Sequence, residues 1–110
     1  MSQKKKSPSS SGGVGIKDRQ KEKRKVQKPK KYKCVMYNDD YTPMDFVVAI
    51  LKIVFNKNAG DSVRLMLDVH HKGRGIAGVY SKEIAETKAQ RAKQIARGAG
   101  YPFMVEIEPE

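Results

Sequence analysis

Residues 32–55 read YKCVMYNDDYTPMDFVVAILKIVF, and this stretch decides how the chain begins to fold. Its first six residues, 32–37, are β-branched and aromatic enough to predict a strand. Farther along, Thr42 suits a helix N-cap and Pro43 suits the first helical position. The apolar residues that follow predict an amphipathic helix ending near residue 57, because they recur at helical spacing: Phe46, Val47, Ile50, Leu51, Val54 and Phe55.

The remainder of the sequence predicts four more elements. Asn58 and Ser81 suit helix N-caps, and Gly73 suits a helix C-cap. These signals and the intervening apolar patterns place a helix at 58–72, a strand at 76–80, a helix at 81–97 and a strand at 103–107. The order β-α-α-β-α-β predicts an α+β fold, in which a small, mostly antiparallel three-stranded sheet packs against three helices.

Charge divides the chain into two parts. The 110 residues carry a formal net charge of +11. Residues 1–31 hold twelve Lys or Arg against two acids, whereas residues 32–110 hold eleven against ten. Because the first part has few large apolar residues, it cannot offset its chain entropy by burial. We therefore predict a disordered basic extension at 1–31 and one folded domain at 32–110.

Several classes of protein are not indicated. The single cysteine, Cys34, excludes an internal disulfide and fits a reducing compartment, so we expect a cytoplasmic protein. No apolar run is long enough to span a membrane. The letters G-x-G-x-x-G at 73–78 follow a predicted helix instead of a strand, which argues against nucleotide binding. Only one of the adjacent His70 and His71 can face a given site, so we do not expect a metal. No motif places a base beside Cys34, so we expect no catalysis, and we expect no cofactor.

Two clusters suggest a binding pocket. Asn38 and Asp39 supply hydrogen-bond acceptors and a negative charge just before a helix, while Met66, Val69 and His70 share one helical face. A pocket that is acidic at its mouth and apolar inside suits a free amine attached to a hydrophobic side chain, which is what the first residue of a protein offers. Alternatively, the acids merely cap a turn and the methionines belong to the core.

Three motifs resemble the bacterial ClpS adaptor family. They are V-x-x-N-D-D-Y-T-P-M-x-F-V at 35–47, L-M-L-x-V-H at 65–70 and G-V-Y-S-x-E-x-A-E-T-K at 78–88. The resemblance implies a non-enzymatic adaptor of the N-degron pathway, which binds substrates whose first residue is Leu, Phe, Tyr or Trp. It also implies a partner, a Clp AAA+ unfoldase of the ClpA or ClpC type, which works with the ClpP peptidase.

The resemblance further implies roles for individual residues. The family usually has an apolar residue that lines the side-chain pocket, often Leu, at the position of Phe103. The implied groups are amine contacts at Asn38, Asp39 and His70; a side-chain pocket of Thr42, Met44, Val47, Met66, Val69 and Phe103; and unfoldase docking through Glu83 and Lys88. The alternative function is a small nucleic-acid or ribosome-associated module that uses the basic extension, whose binding would weaken steeply with added salt.

Overall fold

The computed structural model describes residues 29–110, so the basic extension predicted for residues 1–31 lies almost wholly outside the described residues. The predicted order β-α-α-β-α-β is confirmed. The elements are β1 (Lys31–Tyr37), α1 (Met44–Ile53), α2 (Ala59–Lys72), β2 (Arg74–Ser81), α3 (Lys82–Gly98) and β3 (Met104–Pro109).

The sheet has three strands, with β1 in the centre. Both neighbours run antiparallel to β1, which confirms the predicted sheet, and Val35 lies opposite Ile76 on one side and Glu106 on the other. The register with β2 shifts between Cys34 and Val35, which leaves Ala77 as an extra residue. Such a bulge bends the strand and increases its twist. The loop that follows β1 lies beside the first turn of α1 and the last turns of α2.

The core fills the space between the helices and one face of the sheet. Strand alternation points Cys34 and Met36 toward the helices, where both are fully buried. The helix α3 approaches the sheet closely because its buried side chains are small, and they are Ala85, Ala89, Ala92 and Ala96. No helix among residues 29–110 has the length and apolar character that a membrane crossing requires.

Local capping explains the start of α2 and α3 and the end of α2. The Asn58 side chain accepts a hydrogen bond of 2.8 Å from the Asp61 backbone N–H, as predicted. Gly73 ends α2 with φ at 88°, a left-handed conformation that glycine adopts without steric cost. Ser81 precedes α3 and accepts from the Ile84 N–H at 3.5 Å.

The predicted boundaries of α1 were wrong at both ends. Pro43 occupies the N-cap position, and no side chain caps the helix there. Thr42 does not cap it because its hydroxyl donates to the Asp39 carboxylate, at 2.8 Å. The helix ends at Ile53 instead of near residue 57, and the chain then turns through Asn56, whose φ is 58°. Asparagine tolerates this left-handed conformation better than most residues.

The two outer strands also differ from the prediction in length. β2 begins at Arg74, two residues before the predicted start, because pairing with Tyr37 extends the ladder to the end of α2. β3 begins at Met104 instead of 103 and continues to Pro109, opposite Tyr32. Phe103 therefore lies in the connection before the strand.

Candidate functional site

A cavity of about 340 Å³ lies at the end of β1, between the loop that follows it, the first turn of α1 and the last turns of α2. Eight of the nine residues predicted to contact a ligand line this one cavity: Asn38, Asp39, Thr42, Met44, Val47, Met66, Val69 and His70. The loop and the helical face, which are about 30 residues apart in the chain, therefore form a single site.

Hydrogen bonds hold the carboxylate of Asp39 in a fixed position. One oxygen, Oδ1, accepts from the backbone N–H groups of Tyr41 and Thr42, at 2.8 and 2.7 Å. The other, Oδ2, accepts from the Thr42 hydroxyl at 2.8 Å. Each carboxylate oxygen has two lone pairs, so Oδ2 can accept one more hydrogen bond from a ligand.

The environment keeps Asp39 ionised. Partial desolvation raises the pKa of Asp39, but the hydrogen bonds from Thr42 and Tyr41 lower it by more, and the positive charge of Arg97 adds to their effect. The net result is a pKa below the ordinary value of 3.8. The carboxylate is therefore negatively charged at neutral pH and attracts a cation into the cavity.

One backbone hydrogen bond joins the two sides of the acidic end. The Asn38 N–H donates to the carbonyl oxygen of Gly73 at 2.9 Å, and Gly73 follows the last turn of α2, which carries His70. This bond fixes the position of Asn38 relative to the end of α2. The side chains of Asn38, Asp39 and His70 thus surround one end of the cavity with hydrogen-bond acceptors.

The other end of the cavity is apolar. Val47 and Val69 are buried and form its floor, whereas Met66 is half-buried and Met44 is exposed near the opening. Methionine side chains are flexible and adapt to differently shaped apolar groups. A valine floor with methionine walls therefore accepts a large hydrophobic side chain.

Phe103 is the predicted pocket residue that does not line the cavity. Its side chain is 1% exposed and packs in the core. Arg97 holds this connection in place by donating to the carbonyl oxygens of Tyr101 and Phe103, at 2.8 and 2.9 Å. Phe103 is therefore absent from the lining of the cavity, and its contact with a bound side chain stays a prediction.

The predicted docking residues lie on α3. Glu83 and Lys88 border a shallow depression of about 320 Å³, together with Ile84, Thr87 and Arg91. The Lys88 ammonium donates to the carbonyl oxygen of Val54 at 2.7 Å, so this charge is already bound within the domain. Ser81, just before α3, pairs with Lys31 at the start of β1, so this surface and the cavity lie at opposite ends of the central strand.

A larger groove of about 690 Å³ runs between α3 and β3. Its walls carry mainly long polar side chains, including Gln90, Gln94 and Glu106, and it is shallow. The smaller cavity at the end of β1 combines a charged group with a buried apolar floor, which is the usual composition of a ligand site. Among residues 29–110, no group of three or more His, Cys, Asp or Glu side chains comes together to hold a metal ion.

Sequence reasoning missed three residues that also line the cavity, Asp40, Tyr41 and Pro43. All three belong to the same run, 38–44, so their position in the sequence was the available signal. Tyr41 stands out because its side chain is 78% exposed.

Comparisons with known proteins agree with this fold. The family model of the ATP-dependent Clp protease adaptor protein ClpS matches residues 27–106. Two curated relatives carry the name ATP-dependent Clp protease adapter protein ClpS. The one from Desulfatibacillum aliphaticivorans is 45% identical over 86 residues, covering 78% of this chain and 83% of the relative. The one from Clostridium acetobutylicum is 51% identical over 83 residues, covering 76% and 82%.

A solved structure is also similar. Agrobacterium tumefaciens ClpS2, bound to L-phenylalaninamide, superposes with a TM-score of 0.74 and 42% sequence identity, covering 76% of this chain and 100% of that one. Fold, motifs and relatives thus define a small α+β adaptor protein of the Clp protease system. The chain belongs to the ClpS family.

Proposed function

We propose that this protein binds the first residue of N-degron substrates and delivers them to a Clp AAA+ unfoldase for degradation by ClpP. The observation that carries the proposal is the cavity itself, whose lining combines the fixed carboxylate of Asp39 with the buried side chains of Val47 and Val69. A first residue with a free α-amino group and a Leu, Phe, Tyr or Trp side chain matches both parts of this lining. The similar structure of A. tumefaciens ClpS2 supports this, since phenylalaninamide carries a free α-amine and a benzyl side chain.

The acidic end suits an ammonium group. An α-amine has a pKa of about 7.7–8.0, so it is mostly protonated at neutral pH and offers three donors. The side chains of Asn38, Asp39 and His70 all line the cavity, and each carries an atom that can accept a hydrogen bond. Hydrogen bonds to a charged group contribute about 1.5–3 kcal/mol each.

The apolar end supplies the preference for bulky side chains. Burying one large apolar side chain contributes about 1.5–3 kcal/mol. A charged side chain in the same place would be desolvated against Met44 and Met66 without a partner, which is unfavourable. After the cost of association is subtracted, an affinity on the order of micromolar is expected.

Acetylation of the peptide amine tests this function directly. We expect a peptide beginning with Phe to bind, and the same peptide with an acetylated amine to bind at least about 30-fold more weakly, because the negative charge of Asp39 then has no ammonium partner in the occupied cavity. Fluorescence anisotropy with matched labelled peptides measures both affinities. Equal binding of the free and acetylated peptides would contradict the proposed function.

The pH profile of binding provides a second test. The affinity for a peptide beginning with Phe is expected to fall above about pH 8, as the α-amine loses its proton. On the acid side, the pKa of Asp39 lies below the ordinary value of 3.8. The contribution of its negative charge to binding is therefore present above that ordinary value and is lost only as the pH falls through the lower pKa. Anisotropy titrations between about pH 7 and 9.5 should show the alkaline loss. Constant affinity over this range would argue against recognition of a charged amine.

We further propose that the unfoldase, of the ClpA or ClpC type, docks on the α3 surface formed by Glu83, Ile84, Thr87 and Arg91. Ile84 supports this, because it is 50% exposed in the centre of charged neighbours, and an interface needs an apolar core inside a polar rim. Lys88 is the weaker candidate, since its ammonium is bound to Val54. The nucleic-acid alternative depends on the basic extension at 1–31, which lies almost wholly outside the described residues. Cytoplasmic location stays a prediction.

A further inference from the structure

Tyr41 differs from the other tyrosines of the described chain. Tyr41 is 78% exposed, and among residues 29–110 its ring contacts neither another aromatic ring nor a cation. Each of the other four tyrosines has such a partner: Tyr32 packs near Lys82, Tyr37 near Arg74, Tyr80 near Phe55 and Lys88, and Tyr101 against Phe46. A large aromatic side chain without a partner, on the rim of a ligand cavity, has its face free for a ligand.

The backbone at this position is held in place. The Tyr41 N–H donates to Asp39 Oδ1 at 2.8 Å, and the next residue, Thr42, donates to the same oxygen. The ring therefore projects from a turn with a defined conformation, and a contact with it costs little backbone entropy.

The geometry of the substrate directs its second residue toward Tyr41. In the proposed complex, the α-amine lies against Asn38 and Asp39, which precede Tyr41, and the first side chain lies against Met44 and Val47, which follow it. Besides the amine and the side chain, the α-carbon carries the carbonyl group that leads to the second residue. Because the amine and the side chain both point into the cavity, the carbonyl group points out of its mouth. The exposed part of Tyr41 lies on that rim.

We propose that the Tyr41 ring binds the side chain of the substrate's second residue and favours an aromatic side chain there. This inference rests on the proposed function. Aromatic pairs stack offset or edge-to-face, and this contact is favourable beyond the burial of apolar area. We therefore expect a substrate with an aromatic second residue to bind about 3- to 10-fold more tightly than one with glycine there.

Two peptides test the proposal, one beginning Phe-Trp and one beginning Phe-Gly. The chain contains no tryptophan, so indole fluorescence reports only the second residue of the peptide. We expect the intact protein to bind Phe-Trp about 3- to 10-fold more tightly than Phe-Gly, with energy transfer from tyrosine to the peptide indole. Tyr41→Ala should weaken Phe-Trp binding more than Phe-Gly binding, which removes the preference, and it should reduce the energy transfer. Tyr41→Phe should keep the preference.

Ile53→Ala is the matched control, because Ile53 is a large apolar residue, 55% exposed, at the opposite end of α1 and away from the cavity. It should preserve the preference. If Tyr41→Ala leaves the preference intact, or weakens both peptides equally, the role of Tyr41 is refuted while the proposed function stands. If the intact protein does not distinguish free from acetylated Phe-Gly, both are refuted.

Discussion

Replacing Asp39 with asparagine is expected to reduce the binding of peptides that begin with Phe by about 100-fold or more, while the domain stays folded. Removing one member of a buried, hydrogen-bonded charge pair costs roughly 2–5 kcal/mol. In this variant the amide oxygen still accepts from the N–H groups of Tyr41 and Thr42, as Oδ1 does now. The amide nitrogen can donate to the Thr42 hydroxyl, which then acts as an acceptor. The loop is thus retained, and the ligand meets a neutral donor where it needs a charged acceptor.

Asp40→Asn provides a control for this experiment, because it removes the same charge from the neighbouring residue. Asp40 also lines the cavity, but it is exposed, and among residues 29–110 its carboxylate accepts no hydrogen bond. Because this carboxylate is exposed to solvent, its loss should weaken binding by only about a few-fold. Anisotropy at about 0.15 M salt measures both variants under the same screening. Equal losses in the two variants would mean that general negative charge, and not the Asp39 contact, attracts the ligand.

The parts of the fold that depend on neighbouring residues were predictable from sequence. The Asn58 cap and the Gly73 stop were both predicted and both found, because a side-chain cap and a left-handed glycine act over three or four residues. The predicted start of α1 was wrong for a related reason. Thr42 has the right chemistry to cap a helix, but its hydroxyl has a competing acceptor in Asp39, and residue type alone does not show which partner wins.

The site was predictable only in part. Helical spacing places Met66, Val69 and His70 on one face, and the run at 38–44 is contiguous, but periodicity does not bring these two segments together. Their contact depends on the bond from the Asn38 N–H to the Gly73 carbonyl oxygen, which only the folded chain reveals. The resemblance to the ClpS family supplied this pairing in advance. It also implied a place in the pocket for Phe103, which stays a prediction, since the ring is buried and does not line the cavity.

Replacing Phe103 with alanine is expected to lower the free energy of unfolding by about 3–5 kcal/mol, the usual cost of removing a fully buried phenylalanine. The ring is 1% exposed and belongs to the main core. A domain of about 80 residues has a total stability of only about 4–12 kcal/mol. The substitution should therefore remove a large share of the stability, and urea denaturation followed by circular dichroism measures the loss.

Two further variants distinguish a core role for this ring from the pocket role that the resemblance implied. Met104→Ala changes the next residue, which is 38% exposed, and should cost about 1 kcal/mol or less. Phe103→Leu keeps most of the apolar volume and should cost less than Phe103→Ala. If Phe103 is a core residue, Phe103→Leu should lower stability without changing the order of affinities for peptides beginning with Leu, Phe and Trp. A changed order with unchanged stability would instead place the ring in contact with the ligand, because a side chain that only supports the core has no means of distinguishing one first residue from another.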